Sequence, residues 1–211
     1  MIANVAGDAI ADLLMSVMPA HVSATFLVAS TEACDVINRY AYSSTLGIDR
    51  WAAVIAAWHQ LKQPAIVINA GTAITIDHLT IDSPLKLATL KRTTSKKGVY
   101  LGGTIMPGLY GMHHALNTQT AKLPPVAAGQ VVKFPDNTTD AIKTGCMNAV
   151  VGAVLLQLKQ LEKHCAFLPK VVITGGDAVK IARELKMYIK RVVIAEDLVL
   201  QGLALLEKEQ E

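Results

Sequence analysis

The amino-acid sequence predicts a layered fold in which helices cover the faces of a mixed β-sheet. Residues 65–108 contain three consecutive strand patterns, over 65–69, 73–77 and 99–101, with glycine turns after the first and the third. Beyond them, helical and strand patterns alternate, which is typical of an α/β or α+β fold. Hydrophobic residues make up 52% of the 211 residues, so the chain can bury a substantial core.

Two predicted helices flank a less regular region in the first third of the chain. The spacing of apolar residues predicts a helix over 7–18, with Asp8 as an available cap. The same argument predicts an amphipathic helix over 49–63. Between the two helices, an apolar run predicts a buried strand over 25–29, and 31–47 is expected to be irregular.

Helices and short strands alternate in the second half of the chain. The predicted elements are helices over 107–116, 140–163, 178–185 and 198–207, strands over 171–174 and 191–194, and a connector over 117–132. His113 and His114 are adjacent on one of these helices and point in different directions. A metal site shared by these two side chains is therefore not favoured.

Composition and charge narrow the class of function. The formal net charge is +3, and the most basic cluster lies in a loop over 83–97 without aromatic residues, which favours a solvated loop over a nucleic-acid surface. The most apolar stretch, 147–158, is shorter than the roughly 18 residues of a membrane span. Asp8 and Asp12 lie where a signal peptide would be uniformly apolar, so we do not expect export. The three cysteines are odd in number and far apart, which is typical of a protein whose thiols are reduced. We therefore expect a cytoplasmic protein with neither a nucleic-acid nor a membrane partner.

Five short motifs carry chemical information when they are taken together. They are 46–50 (LGIDR), 69–75 (NAGTAIT), 102–108 (GGTIMPG), 138–145 (TTDAIKTG) and 173–178 (ITGGDA). In this order and spacing they resemble the motifs of type III pantothenate kinases, a family that includes proteins labelled Bvg accessory factors. That family belongs to the superfamily of acetate kinase, sugar kinases, Hsp70 and actin. The resemblance extends from about residue 38 to the C-terminus, and more loosely from residue 4.

The resemblance implies both a fold and an activity. The fold is the ribonuclease H-like fold of that superfamily, with 1–63 as the remnant of a truncated N-terminal subdomain that carries the substrate motif. Residues 64–211 are then the C-terminal subdomain. It contains the second phosphate-binding motif (phosphate-2), at 69–75, and the adenosine motif, at 173–178. The implied activity is ATP-dependent phosphorylation of pantothenate to 4'-phosphopantothenate, the first step of coenzyme A biosynthesis. A homodimer is also implied, with the helix over 140–163 as a candidate contact.

The LGIDR motif is predicted to bind and activate the substrate alcohol. From the residues alone, Asp49 has two interpretations: it caps a helix, or it accepts the proton of an attacking hydroxyl. The resemblance favours the second, which makes Asp49 the catalytic base. It also implies a substrate pocket that contains Tyr40, Gly47, Ile48, Asp49, Arg50 and Thr138. Taken alone, Tyr40 is equally compatible with simple packing.

Two glycine turns are predicted to bind the nucleotide. Gly71 and Thr72 match a turn whose threonine contacts ATP, and a hydroxyl beside bare main chain can donate to a phosphate oxygen. Gly175 and Gly176 match the turn that holds adenosine, although a tight strand-to-helix turn explains the same pair. Asn69 lies where the family usually has an aspartate that ligates K⁺ or NH₄⁺, so the lost charge predicts weaker cation binding. ATP and Mg²⁺ are implied by the resemblance.

One motif of the family is missing from the sequence. Asp-x-Gly-Asn-Thr, the phosphate-1 motif, does not occur, so we expect the opening hairpin to be absent and a sheet edge to be exposed at 25–29. Three explanations stay open: a start at an internal methionine, a shortened paralogue that is a non-catalytic binding or regulatory protein, or a segment supplied by another chain. A sugar or acetate kinase is disfavoured by residues 46–50.

The kinase hypothesis also makes a geometric prediction. Asp49 and Thr72 must face one cleft, so that the substrate alcohol and the terminal phosphate of ATP can meet.

Overall fold

The computed structural model describes residues 2–19, 21–22, 24–82, 97–119, 129–165 and 168–210. The elements within these residues, in chain order, are α1 (Asp8–Val17), β1 (Glu32–Ala33), β2 (Val36–Asn38), α2 (Ile48–Leu61), β3 (Ala65–Ala70), β4 (Ala73–Ile81), β5 (Gly98–Pro107), α3 (Leu109–Gln119), α4 (Thr138–His164), β6 (Lys170–Thr174), α5 (Ala178–Leu185), β7 (Val192–Ile194) and α6 (Leu198–Gln210). A short 3₁₀ turn, Ser43–Thr45, lies before α2. From α2 onward, every predicted helix and strand is present.

The chain divides into two compact units. Unit 1 consists of Met1–Gln63, Leu79–Gly102 and Asp197–Glu211, and unit 2 consists of Pro64–His78 and Gly103–Glu196. The long strands β4 and β5 contribute residues to both. The strand order is β1-β2-β5-β4 within unit 1 and β5-β4-β3-β6-β7 within unit 2. The functional division of the chain into 1–63 and 64–211 stays a prediction.

Two helices from distant parts of the sequence form the centre of unit 1. Ten of the 14 residues of α2 are buried, and Trp51 and Trp58 are fully enclosed. α6 packs closely on α2, because Gly202 lies against the backbone of Ala52 and a Cβ atom there would collide with the Ala52 carbonyl. Such a close approach of two backbones requires glycine.

The short strands of unit 1 are held by side-chain contacts as well as by pairing. β1 pairs antiparallel with β2, and β2 pairs parallel with β5. The turn between β1 and β2 holds Cys34 and Asp35 with positive φ angles of 48° and 60°. The Glu209 carboxylate accepts the Cys34 N–H at 2.7 and 2.9 Å, which fixes the end of α6 to this turn. Burial and the nearby carboxylate raise the pKa of the Cys34 thiol to about 12.

Unit 2 is built on parallel strand pairing. β3 pairs parallel with β6 from Ala65↔Lys170 to Asn69↔Thr174, and β6 pairs parallel with β7. β3 is buried at five of its six positions, as expected for an apolar strand inside a parallel sheet. The side chains of Ile66, Ile68 and Ile173 form a core with apolar residues of α4 and α5.

Helix α4 is the longest element, with 27 residues. It begins at an N-cap, Asn137, whose side chain accepts the Asp140 N–H at 3.0 Å. By length and composition alone α4 is long and apolar enough to span a membrane, although its most apolar stretch, 147–158, predicted no membrane span. Val150, Val154 and Leu158 of this helix nevertheless pack in the core of unit 2.

Three predictions for the first third of the chain are wrong. The apolar run 25–29 forms no strand; its Phe26 makes only an isolated bridge with Ile2, so the expected sheet edge is not formed there. The region 31–47 is less irregular than expected, since it contains β1, β2 and the 3₁₀ turn. Asp8 is the first residue of α1 and not its cap, because the N-cap position is Gly7.

Most of the basic loop at 83–97 lies outside the described residues. Its last residue, Lys97, is described and pairs with the side chain of Glu32. The connector predicted over 117–132 is also described only in part, since 120–128 lie outside the described ranges.

Candidate active site

The first turn of α2 presents the Asp49 carboxylate. The N-cap position of this helix is Gly47, and no side chain caps it. Asp49 Oδ1 accepts the N–H of Arg50 at 2.8 Å, whereas Asp49 Oδ2 makes no hydrogen bond to any described residue. A Cβ atom on Gly47 would lie 2.6 Å from Asp49 Oδ1, so glycine leaves room for the carboxylate. The capping interpretation of Asp49 is therefore wrong, and one carboxylate oxygen can accept a proton.

Arg50 is a buried cation that contacts two tyrosines. Its side chain is only 4% exposed, and its Nη2 donates a hydrogen bond to the hydroxyl of Tyr100 at 2.8 Å. The guanidinium carbon lies 5.9 Å from the centre of the Tyr40 ring, which is 6.1 Å from the Tyr100 ring. A buried guanidinium is a fixed positive charge that is suited to attract a carboxylate or a phosphate.

The turn between β3 and β4 leaves a hydroxyl for a ligand. Thr72 is exposed, and its side chain makes no hydrogen bond to any described residue. The main chain of this turn is fixed, because Gly71 N–H donates to the Ala73 carbonyl at 3.1 Å and Gly108 N–H donates to the Thr72 carbonyl at 2.9 Å. A Cβ atom on Gly108 would collide with the Gly71 carbonyl.

The turn between β6 and α5 meets the β3–β4 turn at one peptide. Gly175 has a φ of 101°, and a Cβ atom there would lie 2.5 Å from the Ala70 carbonyl oxygen. The same oxygen accepts the N–H of Asp177 at 3.1 Å. Gly175 and Gly176 are exposed. The two glycine turns that the sequence assigned to the nucleotide are thus neighbours within unit 2.

The remaining predicted residues lie in both units. Thr138 is the exposed first residue of α4, in unit 2, and Asn69 is half-buried near the end of β3. The Asn69 side chain makes no hydrogen bond within the described ranges, so its carbonyl oxygen could bind a cation. Asp49 belongs to unit 1 and Thr72 to unit 2. That Asp49 and Thr72 share a cleft stays a prediction.

A cavity in unit 2 was not predicted from the sequence. It is an open pocket of about 770 Å³, lined by residues of α3 and α4, by Asp177 and α5, and by residues 129–131. We call it the α3–α5 cavity; among its lining residues are Tyr110, His113, Lys143, Asp177, Lys180 and Arg183. Burial and Lys143 lower the pKa of His113, which therefore stays neutral near pH 7. Since these residues come from three helices, no local motif indicates the cavity.

Two further buried polar residues were also missed. Tyr100 was assigned only to a strand, yet its hydroxyl is the partner of Arg50. Asp77 is 1% exposed and accepts a hydrogen bond from the Thr75 hydroxyl at 3.1 Å. The alternation of residues 73–77 places Thr75 and Asp77 on one face, which could have indicated a polar pair. Within the part of the chain that the structure describes, no group of three or more His, Cys, Asp or Glu side chains could hold a metal ion.

Comparison with known proteins identifies the family. The model of the family described as type III pantothenate kinase matches residues 1–86 and 87–160. A type III pantothenate kinase of Nitrosomonas eutropha is 34% identical over 211 residues, which cover 99% of this chain and 75% of the relative. The protein of that description in Aromatoleum aromaticum is 37% identical over 209 residues, covering 98% of this chain and 77% of the relative.

A solved structure has the same fold. It is described as a conserved putative Baf family transcriptional activator from Campylobacter jejuni, and it matches with a TM-score of 0.53 and 25% identity over 81% of this chain and 67% of that protein. The mixed sheet with helices confirms the predicted fold class, and the family match assigns it to the kinases of the ribonuclease H-like class. Within that class, the chain belongs to the type III pantothenate kinase family.

Proposed function

We propose that this chain transfers the γ-phosphoryl group of ATP to the primary alcohol of pantothenate, which yields 4'-phosphopantothenate for coenzyme A biosynthesis. Membership of the type III pantothenate kinase family carries the activity. The relatives support a catalyst and give no support to a non-catalytic paralogue. The start of α2 supports the mechanism, because Asp49, whose Oδ2 has no hydrogen-bond partner among the described residues, is followed directly in the chain by the buried Arg50.

Asp49 acts as the general base in this proposal. The pantothenate hydroxyl oxygen attacks the γ-phosphorus, and the bond from that phosphorus to the β,γ-bridging oxygen breaks. The hydroxyl proton passes to Asp49, and ADP leaves with the electron pair of the broken bond. Positioning and charge stabilisation supply most of the rate enhancement in phosphoryl transfer.

The substrate is held by residues around Asp49. Arg50 binds the pantothenate carboxylate, since its guanidinium is fixed by Tyr100 and by the ring of Tyr40. Gly47 and Ile48 shape the pocket by backbone and apolar contact. Tyr40 and Thr138 complete the set of substrate contacts.

The nucleotide is held by the glycine turns of unit 2. Thr72 donates its hydroxyl to a phosphate oxygen, and Gly71 keeps the main chain accessible. Gly175 and Gly176 seat the adenosine. Asn69 would offer one carbonyl oxygen, without a negative charge, to K⁺ or NH₄⁺, and Mg²⁺ bound with ATP would neutralise part of the charge on its phosphates.

The proposal extends to assembly and location. We propose a homodimer in the cytoplasm, with α4 as the candidate contact and with no nucleic acid or membrane as partner.

A coupled assay of ADP release tests the function. ADP release should depend on pantothenate and rise with added K⁺ or NH₄⁺. The Asp49→Asn variant keeps an oxygen for the Arg50 N–H and should stay folded, yet lose about 10²- to 10⁴-fold in kcat. The matched control is Asp8→Asn, which makes the same change in the first turn of α1 and should retain full activity. A folded wild-type protein without pantothenate-dependent turnover would contradict the proposal.

A further inference from the structure

The segment that carries Tyr40 leaves the sheet of unit 1 at Asn38. Asn38 is the last residue of β2, and in the parallel register it lies beside Tyr100 of β5. The N–H of the next residue, Arg39, donates to the Tyr100 carbonyl at 2.9 Å. Residues 39–42 belong to no strand. Pairing with β5 therefore fixes the main chain at Asn38 but does not extend to Tyr40.

The side chain of Asn38 forms the turn that leads to Tyr40. Its Oδ1 accepts the Tyr40 N–H at 3.0 Å, and its Nδ2 donates to the Ser30 carbonyl at 2.9 Å. A bond from an asparagine oxygen to the N–H two residues later is a common way to fix a turn. Among the residues that the structure describes, it is the one hydrogen bond that the main chain of Tyr40 makes. Asn38 is only 7% exposed, so both bonds are largely shielded from water.

Tyr40 contacts the Arg50 guanidinium through the face of its ring. The guanidinium carbon lies over the ring, 5.9 Å from its centre, where the ring face attracts a cation. The Tyr40 ring is also 6.1 Å from the ring of Tyr100, whose hydroxyl accepts a hydrogen bond from Arg50. A shift of the Tyr40 main chain would move its ring away from the guanidinium and leave only the contact with Tyr100 of these two.

We infer that Asn38 is a positioning residue of the substrate pocket, because its side chain holds the main chain of Tyr40 where the ring can orient Arg50 for the substrate carboxylate. This inference rests on the proposed function, which assigns the carboxylate to Arg50. Asn38 acts through Tyr40 and is not itself a catalytic residue. It therefore determines the affinity for pantothenate and does not affect the affinity for ATP.

Asn38→Ala and Asn38→Ser form a matched pair of variants. Both lose the Nδ2 group that donates to the Ser30 carbonyl, and they differ from each other by a single hydroxyl. The serine hydroxyl can accept the Tyr40 N–H, although more weakly than asparagine does, whereas alanine cannot accept it. The difference between the two variants therefore reports on the bond to Tyr40 and not on the stability that both lose.

The coupled assay on the full chain tests the inference. In Asn38→Ala, the KM for pantothenate should rise by about three- to tenfold, the loss expected for one hydrogen bond, while the KM for ATP stays unchanged. Asn38→Ser should recover part of this loss. The control is Asn4→Ala, because Asn4 also accepts the N–H two residues later, that of Ala6 at 2.9 Å, and donates to the Gly7 carbonyl. Asn4→Ala should keep both KM values.

A double-mutant cycle shows whether Asn38 acts through Tyr40. When Tyr40→Ala has already removed the ring, Asn38→Ala should raise the KM for pantothenate no further, whereas independent effects would add. If Asn38→Ala does not fold, Asn38→Ser takes its place in the cycle. The inference is overturned by additive effects, by a rise of both KM values to the same extent, or by an unchanged KM for pantothenate in a folded variant that lacks the bond.

Calorimetric titration with pantothenate separates this inference from the proposed function. If the wild type shows no pantothenate-dependent turnover, the proposed function fails. The inference is still supported in that case if pantothenate binds the wild type and binds Asn38→Ala more weakly. No binding of pantothenate to the folded wild type would overturn both. Normal turnover with a KM that does not depend on Asn38 would overturn the inference alone.

Discussion

Replacing Tyr100 by phenylalanine removes the buried hydrogen bond between its hydroxyl and Arg50 and leaves the packing in place. The Tyr100 hydroxyl accepts from Arg50 at 2.8 Å, and both side chains are at most 4% exposed. The phenylalanine ring keeps its packing against Tyr40 and against Trp51, whose ring centre lies 6.3 Å away. Because a hydrogen bond to a charged group contributes about 1.5–3 kcal/mol, we expect a loss of about 2 kcal/mol in the free energy of unfolding. This corresponds to about a thirtyfold change in the ratio of folded to unfolded protein.

The same substitution should weaken substrate binding. Without the Tyr100 hydroxyl, the Arg50 guanidinium is less well fixed, so the KM for pantothenate should rise severalfold while the KM for ATP stays unchanged. Urea denaturation gives the free energy of unfolding, and the coupled assay gives the two KM values. The control is Tyr42→Phe, since Tyr42 is 74% exposed and its hydroxyl makes no hydrogen bond to a described residue. A loss of stability below about 0.5 kcal/mol, together with an unchanged KM, would refute the reasoning, since changes of that size are ordinary for surface sites.

Three further substitutions test the glycine positions and the cation site. Gly47→Ala places a methyl group 2.6 Å from Asp49 Oδ1, so the carboxylate must move and kcat should fall at least about tenfold. The melting temperature should change little, because a flexible side chain moves aside at small cost. Gly202→Ala meets the rigid backbone of Ala52 and should destabilise the protein by about 3 kcal/mol, measured by urea denaturation. Asn69→Asp restores a negative charge and should lower the K⁺ concentration needed for half-maximal activity.

Gly152→Ala is the control for both glycine variants. A Cβ atom there has no atom within 4 Å, and the residue lies inside α4. Alanine should therefore stabilise the protein by about 0.5–1 kcal/mol. The reasoning fails for Gly202 if its alanine variant is as stable as that of Gly152, and for Gly47 if kcat is unchanged. For Asn69, an unchanged response to K⁺ would show that this residue does not bind the cation.

The elements from α2 onward could be predicted because their local patterns agree with their packing. β3 is a continuous apolar run, and it is buried as such runs are in parallel sheets. β4 and β5 extend to Ile81 and Pro107, beyond the predicted strands, because pairing with neighbouring strands continues through residues of low strand propensity such as Gly102 and Gly103. The run 25–29 failed for the converse reason, since an apolar segment becomes a strand only where a partner strand exists.

The candidate site was predicted only where its residues are close in sequence. The Gly47–Arg50 motif correctly indicated the start of α2, and the glycine motifs indicated both turns of unit 2. The partnership of Arg50 with Tyr100 joins residues 50 positions apart, and no local pattern encodes it. The sequence alone also cannot show whether Asp49 caps α2, because an aspartate near a helix start can either cap the helix or point its carboxylate toward a ligand. The structure decides this, since the N-cap position is Gly47 and no side chain caps the helix.

The packing of α6 on α2 has a consequence for synthesis of the protein. Gln60 on α2 and Gln201 on α6 are bonded across 141 positions of the chain. All of unit 2, which ends at Glu196, leaves the ribosome before α6 does. A nascent chain that ends at Glu196 carries every residue of unit 2, but the face of α2 around Ala52 and Gln60 lacks its partner α6. Chaperones that recognise exposed apolar helices should therefore engage this chain late in translation and release it once α6 docks.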